Sequence, residues 1–391
     1  MMADPYARFS GSPLSQPWLA RLRDFQGFTL AHPQLAEAKD KLMAAIQGSP
    51  PNSLVMVLGP TGVGKTTLKA KVEQILIQSL VFALQTDRGR IPVVSVEAVA
   101  PESGNFNWRD QFKRILLKMK EPLVGYKLPQ AAPRNEENEL YSRLNSKTQG
   151  AEYRYAVEQA LRYRRPLAVL IDEAQHLAKM SSGRKLLDQL DVIKSIANLT
   201  STVHVLFGTY DLLAFHNLNG QLSRRSVDIH FRRYRADQEE DRKSFVNIVH
   251  SFAQRLPFAE PPDLAGDWEY LYERSIGCVG VLKDWLVRAL AQALKRGETS
   301  LTHRDLEPHA PSVSQCERML SEAIEGELRL RESTEERGRL RTRLGLTVSN
   351  ASDSCASTHD RLERRGRARP GERRPMRDRV GRSTPWHGSN P

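Results

Sequence analysis

The stretch "SLVMVLGPTGVGKTT", Ser53 to Thr67, constrains the chain more than any other. Its unbroken apolar opening reads as a strand buried on both faces, which belongs in a parallel sheet. "GPTGVGKT", Gly59 to Thr66, then fits G-x-x-x-x-G-K-[ST] without substitution, and a helix is expected from Thr66 onward. Strand, glycine-rich turn and helix in this order make a phosphate-binding loop. The glycines let backbone N–H groups turn inward around phosphate oxygens, and the helix N-terminus adds partial positive charge. Gly59, Pro60, Thr61, Gly62, Val63, Gly64, Lys65, Thr66 and Thr67 are therefore candidate nucleotide-binding residues. Lys65 would reach the β- and γ-phosphates and the Thr66 hydroxyl would ligate Mg2+, which implies ATP and Mg2+ as cofactors.

A second segment supplies the partner of this loop. "PLAVLIDE" (166–173) reads as a strand that ends in Asp172, at the edge where ligands of open α/β sheets bind. Asp172 is the candidate to hold Mg2+ through water, and Glu173 to orient and polarise the attacking water. Taken alone, Asp172 reads equally well as an acid capping the next helix. Further strands are expected at "IPVVSVEAV" (91–99), "TVHVLFGT" (202–209) and "VDIHF" (227–231), with Val227, Ile229 and Phe231 alternating. Helical spacing marks 33–48 and 107–119, the latter with Trp108, Phe112, Ile115, Leu116 and Met119 on one stripe. Strands alternating with helices predict an α/β domain with a parallel sheet flanked by helices over 31–236, behind an irregular N-terminal extension, 1–30, that holds the short amphipathic piece "WLARLRDF". From 237 to 300 only helical patterns follow, as expected of a small helical lid subdomain, and one more helical segment occupies 301–345.

Charge separates the last piece. Residues 361–391 carry ten arginines against Glu363, Glu372 and Asp378, and so hold seven of the chain's net +12 charges. A stretch this basic and poor in large apolar residues predicts a disordered, arginine-rich tail over 346–391. It suits contact with an acidic polymer or solubility alone. Three cysteines, Cys278, Cys316 and Cys355, without C-x-x-C spacing argue against a disulfide framework or a zinc site. The N-terminus lacks the apolar core of a signal peptide and no run approaches a membrane span, so a cytoplasmic protein is expected.

The helix after the second strand presents Arg109, Lys113, Arg114, Lys118 and Lys120 around its apolar stripe. Basic groups on a rigid element suit sequence-independent phosphate contacts, and they suit an ordinary solvated face equally. No helix-turn-helix or zinc finger is evident, so DNA, if bound, would be held by backbone and shape.

"IDEAQHL" (171–177), "FGTYDLL" (207–213), "NGQLSRR" (219–225) and "SIGCVGVLKDWL" (275–286), in this order after the phosphate loop, resemble AAA+ ATPases. More narrowly they resemble transposon target-selection ATPases of the TniB/TnsC type, over residues 30–330. The resemblance implies a P-loop AAA+ domain, ATP-dependent assembly on double-stranded DNA as a ring or helical filament, and handover to a transposase with a target-selector protein. It implies that hydrolysis serves disassembly, and that elements following the second strand line a DNA channel. In such proteins an arginine before the fifth strand projects into the neighbouring subunit's nucleotide, and Arg224 or Arg225 occupies that place. Supplied in trans, it is worth roughly 10³ to 10⁵ in rate where it has been measured. A surface charge pair or a DNA contact is the other reading of these two arginines. By the same resemblance Thr209 is the candidate sensor of the γ-phosphate. Lys283 stands where relatives carry a basic second sensor, although lysine lacks the planar fork of arginine. Two other functions fit the same motifs: another AAA+ remodeller of initiator or clamp-loader kind, or a nucleotide-switched signalling scaffold.

Overall fold

The computed structural model describes residues 17–50, 52–100, 106–122, 124, 138–178, 184–218, 226–331 and 333–346. Strands β1 (Leu54–Leu58), β2 (Val93–Glu97), β3 (Ala168–Asp172), β4 (Val203–Gly208) and β5 (Ser226–His230) form one sheet in the order β2-β3-β4-β1-β5. All four pairings are parallel. Every residue of β1, β3 and β4 is buried, which is why these strands read as continuous apolar runs. At the edge strand β5 the pattern is looser: Ile229 and the following Phe231 are buried, whereas Val227 is exposed.

Successive side chains of a strand point to opposite faces, and the two faces fill separately. Val55 and Val57 pack with α2 (Pro33–Gly48) and α3 (Lys65–Ser79) through Leu42, Leu68 and Val72. Leu54, Met56 and Leu58 pack toward α5 (Trp108–Lys118), α6 (Asn138–Arg164) and α8 (Arg184–Thr200), through Leu116, Val157 and Ile193. Short helices α4 (Val81–Thr86) and α7 (Gln175–Ala178) complete this part, with a 3-10 segment at Tyr210–Leu218. On α5 the expected stripe is present: Phe112, Ile115, Leu116 and Met119 are buried and Trp108 packs against them.

Beyond the sheet lie α9 (Glu239–Arg255), α10 (Trp268–Ser275), α11 (Val279–Arg296), α12 (His303–Leu306) and α13 (Val313–Leu330). Their core gathers Phe245, Phe252, Leu271, Leu282 and Trp285, whose Nε1 donates to the Leu306 carbonyl at 2.8 Å. Helix α1 (Trp18–Gly27) belongs to this core, since Leu22 and Phe25 are buried in it. The chain divides into two compact units, Met1–Glu332 and Ser333–Pro391. Within the second, α14 (Thr334–Arg343) starts at a capping box formed by Ser333 and Glu336. The basic tail, 346–391, lies almost wholly outside the described residues. Among the described residues no helix is long and apolar enough to cross a membrane.

Candidate functional site

Chain direction brings the loops after β1, β3 and β4 to one edge of the sheet. The loop after β1 begins at Gly59, whose N–H donates to the Gly208 carbonyl at 3.3 Å and so ties it to the end of β4. Gly62 (φ +76°) and Gly64 (φ +112°) take left-handed backbone conformations that a side chain would strain. Gly64 is the N-cap of α3 and makes no side-chain cap. The first-turn N–H groups of α3 are thus left for an anion, the arrangement that suits phosphate. Lys65 is buried, and its Nζ donates to the carbonyls of Gly59 (3.0 Å) and Pro60 (2.8 Å). Burial pulls its ammonium down to about 8, against the upward pull of Glu173, Cys278 and Asp172. A phosphate here would relieve that penalty by giving the charge a partner.

At the end of β3, Asp172 is buried and fully engaged. Its Oδ1 accepts from the Glu173 N–H at 3.0 Å and its Oδ2 from Lys69 Nζ at 2.8 Å. Lys69 lies one helical turn beyond Lys65 on α3 and supplies the resident counter-charge. Glu173 stands in the left-handed region at φ +52° and its carboxylate accepts from Gln175 Nε2. Gln175 Oε1 in turn accepts from the Thr209 N–H at 3.3 Å, at the end of β4. The Thr209 hydroxyl donates to Asp211 at 3.1 Å. Lys65, Asp172, Glu173 and Thr209 therefore come together, as the sequence places them. Lys69 and Gln175 are additions that the motifs do not single out, although Gln175 lies inside "IDEAQHL".

The donor set fits the metal expected there. An exposed threonine hydroxyl, Thr66, on the first turn of α3 and one strand-end carboxylate, Asp172, are hard oxygen ligands. Mg2+ is held in this way, by one or two carboxylates together with substrate phosphates. Among the described residues no group of three or more His, Cys, Asp or Glu stands ready to hold a metal alone.

The helical region closes on this edge from two sides. Val281 N–H of α11 donates to the Gly62 carbonyl at 3.2 Å, and Tyr234 N–H to the Gly277 carbonyl at 3.0 Å. Cys278 is fully buried beside Lys65, and burial pushes its thiol up to about 12. Lys283 lines a small cavity with Gly64, Thr67, Leu30 and His32, while its Nζ donates to the carbonyls of Gln26 (2.7 Å) and Phe28 (2.6 Å). Its ammonium is thus committed to the C-terminal end of α1. On the other side a cavity of about 400 Å3 opens between Thr61, Gln175 and Thr209 and the α13 residues Glu322 and Arg329. Helix α13 is held there by Arg233, whose Nε meets Glu327 at 2.9 Å with both side chains largely buried.

Arg224 and Arg225 lie outside the described residues. Arg109, Lys113, Arg114, Lys118 and Lys120 are all exposed, and Arg114 pairs with Asp110 at 2.6 Å; Lys120, expected on the helix, lies beyond its end at φ +54°.

A five-stranded parallel sheet flanked by helices, with a phosphate loop after β1 and acids at the end of β3, is the P-loop fold of AAA+ proteins. Residues 51–215 match the family model described as AAA domain. No curated protein matches the chain. Among solved structures it is similar to the ORC2 protein of Aeropyrum pernix in its ADP form, at 16% identity and a TM-score of 0.47 over 75% of this chain and 72% of that one. It is similar to the ORC1 protein of the same organism in complex with DNA, at 19% identity and a TM-score of 0.48 over 75% and 68%. A Walker-type ATPase of Pyrococcus abyssi aligns at 18% identity and a TM-score of 0.40 over 78% and 76%.

Proposed function

We propose that the chain is a Mg2+-dependent ATPase that oligomerises on double-stranded DNA and regulates transposition, recruiting or activating a transposase. The observation that carries the ATPase half is the meeting of Lys65, Asp172, Glu173 and Thr209 at one sheet edge beside an uncapped helix N-terminus. In this reading 31–236 is the nucleotide-binding subdomain and 237–300 its lid. Residues 59–67 hold ATP, with Lys283 in the lid wall beside Gly64 and Thr67. Thr66 and Asp172 hold Mg2+, which when bound neutralises charge on the phosphate oxygens. Glu173 fixes the attacking water, and Thr209 reads the terminal phosphate. Two features support the rest. The exposed cations of α5, with Lys120 just beyond it, form a sequence-independent DNA contact, and the motif order from "IDEAQHL" to "SIGCVGVLKDWL" favours a transposition regulator served by a target selector. The Arg224–Arg225 pair acts in trans, on the nucleotide of a neighbouring copy.

Particle size on a plain DNA duplex tests this reading, with a non-hydrolysable ATP analogue, with ADP and without nucleotide. Rings or filaments are expected with the analogue alone, and are expected to vanish when Arg224 and Arg225 are both changed to Ala. Monomers under every condition would refute assembly. DNA-independent assembly would point to a signalling scaffold.

A further inference from the structure

Gln175 opens α7 two residues after Glu173 and is 5% exposed. Both ends of its carboxamide are used: Nε2 donates to the Glu173 carboxylate, and Oε1 accepts from the Thr209 N–H at 3.3 Å. The amide has only one way to sit. A carboxylate has no proton to give and a backbone N–H has no lone pair to accept with. The surrounding backbone is equally tied, since Ala174 N–H donates to the Phe207 carbonyl at 2.8 Å and His176 N–H to the Glu173 carbonyl at 3.0 Å. Residues 173–175 thus move with the end of β4. A carboxylate that must place a water needs its side chain held, because a glutamate left free spends much of its time elsewhere.

We propose that Gln175 is the positioning residue for Glu173, fixing its carboxylate through one amide hydrogen and, through the amide oxygen, making that position follow the backbone at Thr209. The inference rests on the ATPase reading of Glu173 and Thr209. Gln175 also lines the 400 Å3 cavity beside Thr61 and Thr209. One buried side chain therefore joins the base candidate, the sensor candidate and the open side of the site. A change at the end of β4 reaches Glu173 through two hydrogen bonds.

Two substitutions separate this role from packing. Gln175→Glu keeps the length and the oxygen that accepts from Thr209, but turns the donor to Glu173 into a second carboxylate. Gln175→Met keeps the length and removes both bonds. ATP turnover with Mg2+, with and without duplex DNA, is read together with fluorescent-ADP affinity and the unfolding midpoint. Both variants are expected to lose roughly 10- to 100-fold in kcat, with KM and ADP affinity within about twofold of wild type. For Gln175→Glu the acid limb of the kcat profile also moves to higher pH, because two adjacent carboxylates do not both ionise cheaply. If Gln175→Met fails to fold, Gln175→Glu decides by itself. Gln175→Glu with the wild-type rate and pH profile overturns the inference alone. A wild-type chain that turns over no ATP overturns the ATPase reading and this inference with it.

Discussion

Gly280, the second residue of α11, is where the helical region touches the phosphate loop, and replacing it by alanine tests how tight that contact is. A Cβ there would stand 2.4 Å from the Gly62 oxygen and 3.1 Å from its carbon. Since real Cβ atoms essentially never come within 3.0 Å, backbone must move against backbone by at least about half an ångström. Three energies compete. Alanine in place of glycine favours a helix by roughly 0.5–1 kcal/mol. Overpacking costs roughly 1–3 kcal/mol, and loss of the bond from Val281 N–H to the Gly62 carbonyl costs about 1 kcal/mol. The clash wins because neither atom belongs to a side chain that can rotate away, leaving a net destabilisation of roughly 1–3 kcal/mol. Displacing α11 also loosens the loop proposed to hold phosphate, so nucleotide affinity is expected to fall about 5- to 30-fold, as 1.4 kcal/mol is tenfold. Urea unfolding and titration with a fluorescent ADP analogue measure the two effects. Gly338→Ala in α14, where a Cβ meets nothing within 4 Å, is the matched control and is expected to lose neither. Wild-type stability and affinity in Gly280→Ala would refute the claim that the two backbones are in hard contact.

Lys65 makes the site pH-dependent, because burial lowers its ammonium to about 8 while bound phosphate restores it. Nucleotide affinity is expected to fall as pH rises above about 8, by up to roughly tenfold per pH unit. The empty chain responds in the opposite direction: the unfolded state holds this proton up to about 10.5, so stability rises from pH 8 toward 10.5. Affinity that stays flat from pH 7 to 9.5 removes the charge of Lys65 from binding. Lys69→Met leaves Asp172 buried without its cation, which costs roughly 3–5 kcal/mol in the metal-free chain. Mg2+ with ADP then raises the unfolding midpoint more in the variant than in wild type. Equal shifts would mean that Lys69 and the metal do not share Asp172. Glu327→Ala strands Arg233 in the same way, and a loss of roughly 3 kcal/mol is expected in denaturant unfolding. Removing Arg233 as well should recover part of it; an additive double mutant would show that the two do not interact.

How much of this was legible depended on the range of the contact. The strands were, because a strand covered on both faces shows as an apolar run within seven or eight residues. The glycine turn after β1 and the place of Asp172 and Glu173 at the end of β3 were, because each is a local string next to such a strand. Helix α1 was legible only as the short amphipathic piece "WLARLRDF"; its packing on Phe252, more than 200 positions away, was not. The same holds for Lys69 and Gln175: nothing in their neighbours along the chain states which carboxylate each will face. Lys283 was placed near the nucleotide by resemblance and does line the cavity beside Gly64. Its bonds to the Gln26 and Phe28 carbonyls, however, follow from α1, whose amphipathic sequence does not say what it packs against. A different double arginine, Arg232–Arg233, has a structural role. Arg232 pairs with Asp241 and Arg233 with Glu327, so both serve to hold helices in place.

These contacts differ enough in strength to set an order of events. Helix α11 meets the phosphate loop through one backbone hydrogen bond, and the turn before it meets Tyr234 through another. Each is worth about 1 kcal/mol net, because water replaces either partner once the seam opens. Helix α13 is held by the Arg233–Glu327 pair, and separating it leaves two buried charges to be resolvated or stranded. Movement between the phosphate loop and the helical region should therefore start where Val281 leaves Gly62, with α13 still fastened to Arg233. That order keeps Thr209, Gln175 and the α13 side of the cavity together while the opposite wall, with Lys283, moves. On that order Glu173 would stay in place while a nucleotide exchanged, because its side of the site is the side with the costlier seam.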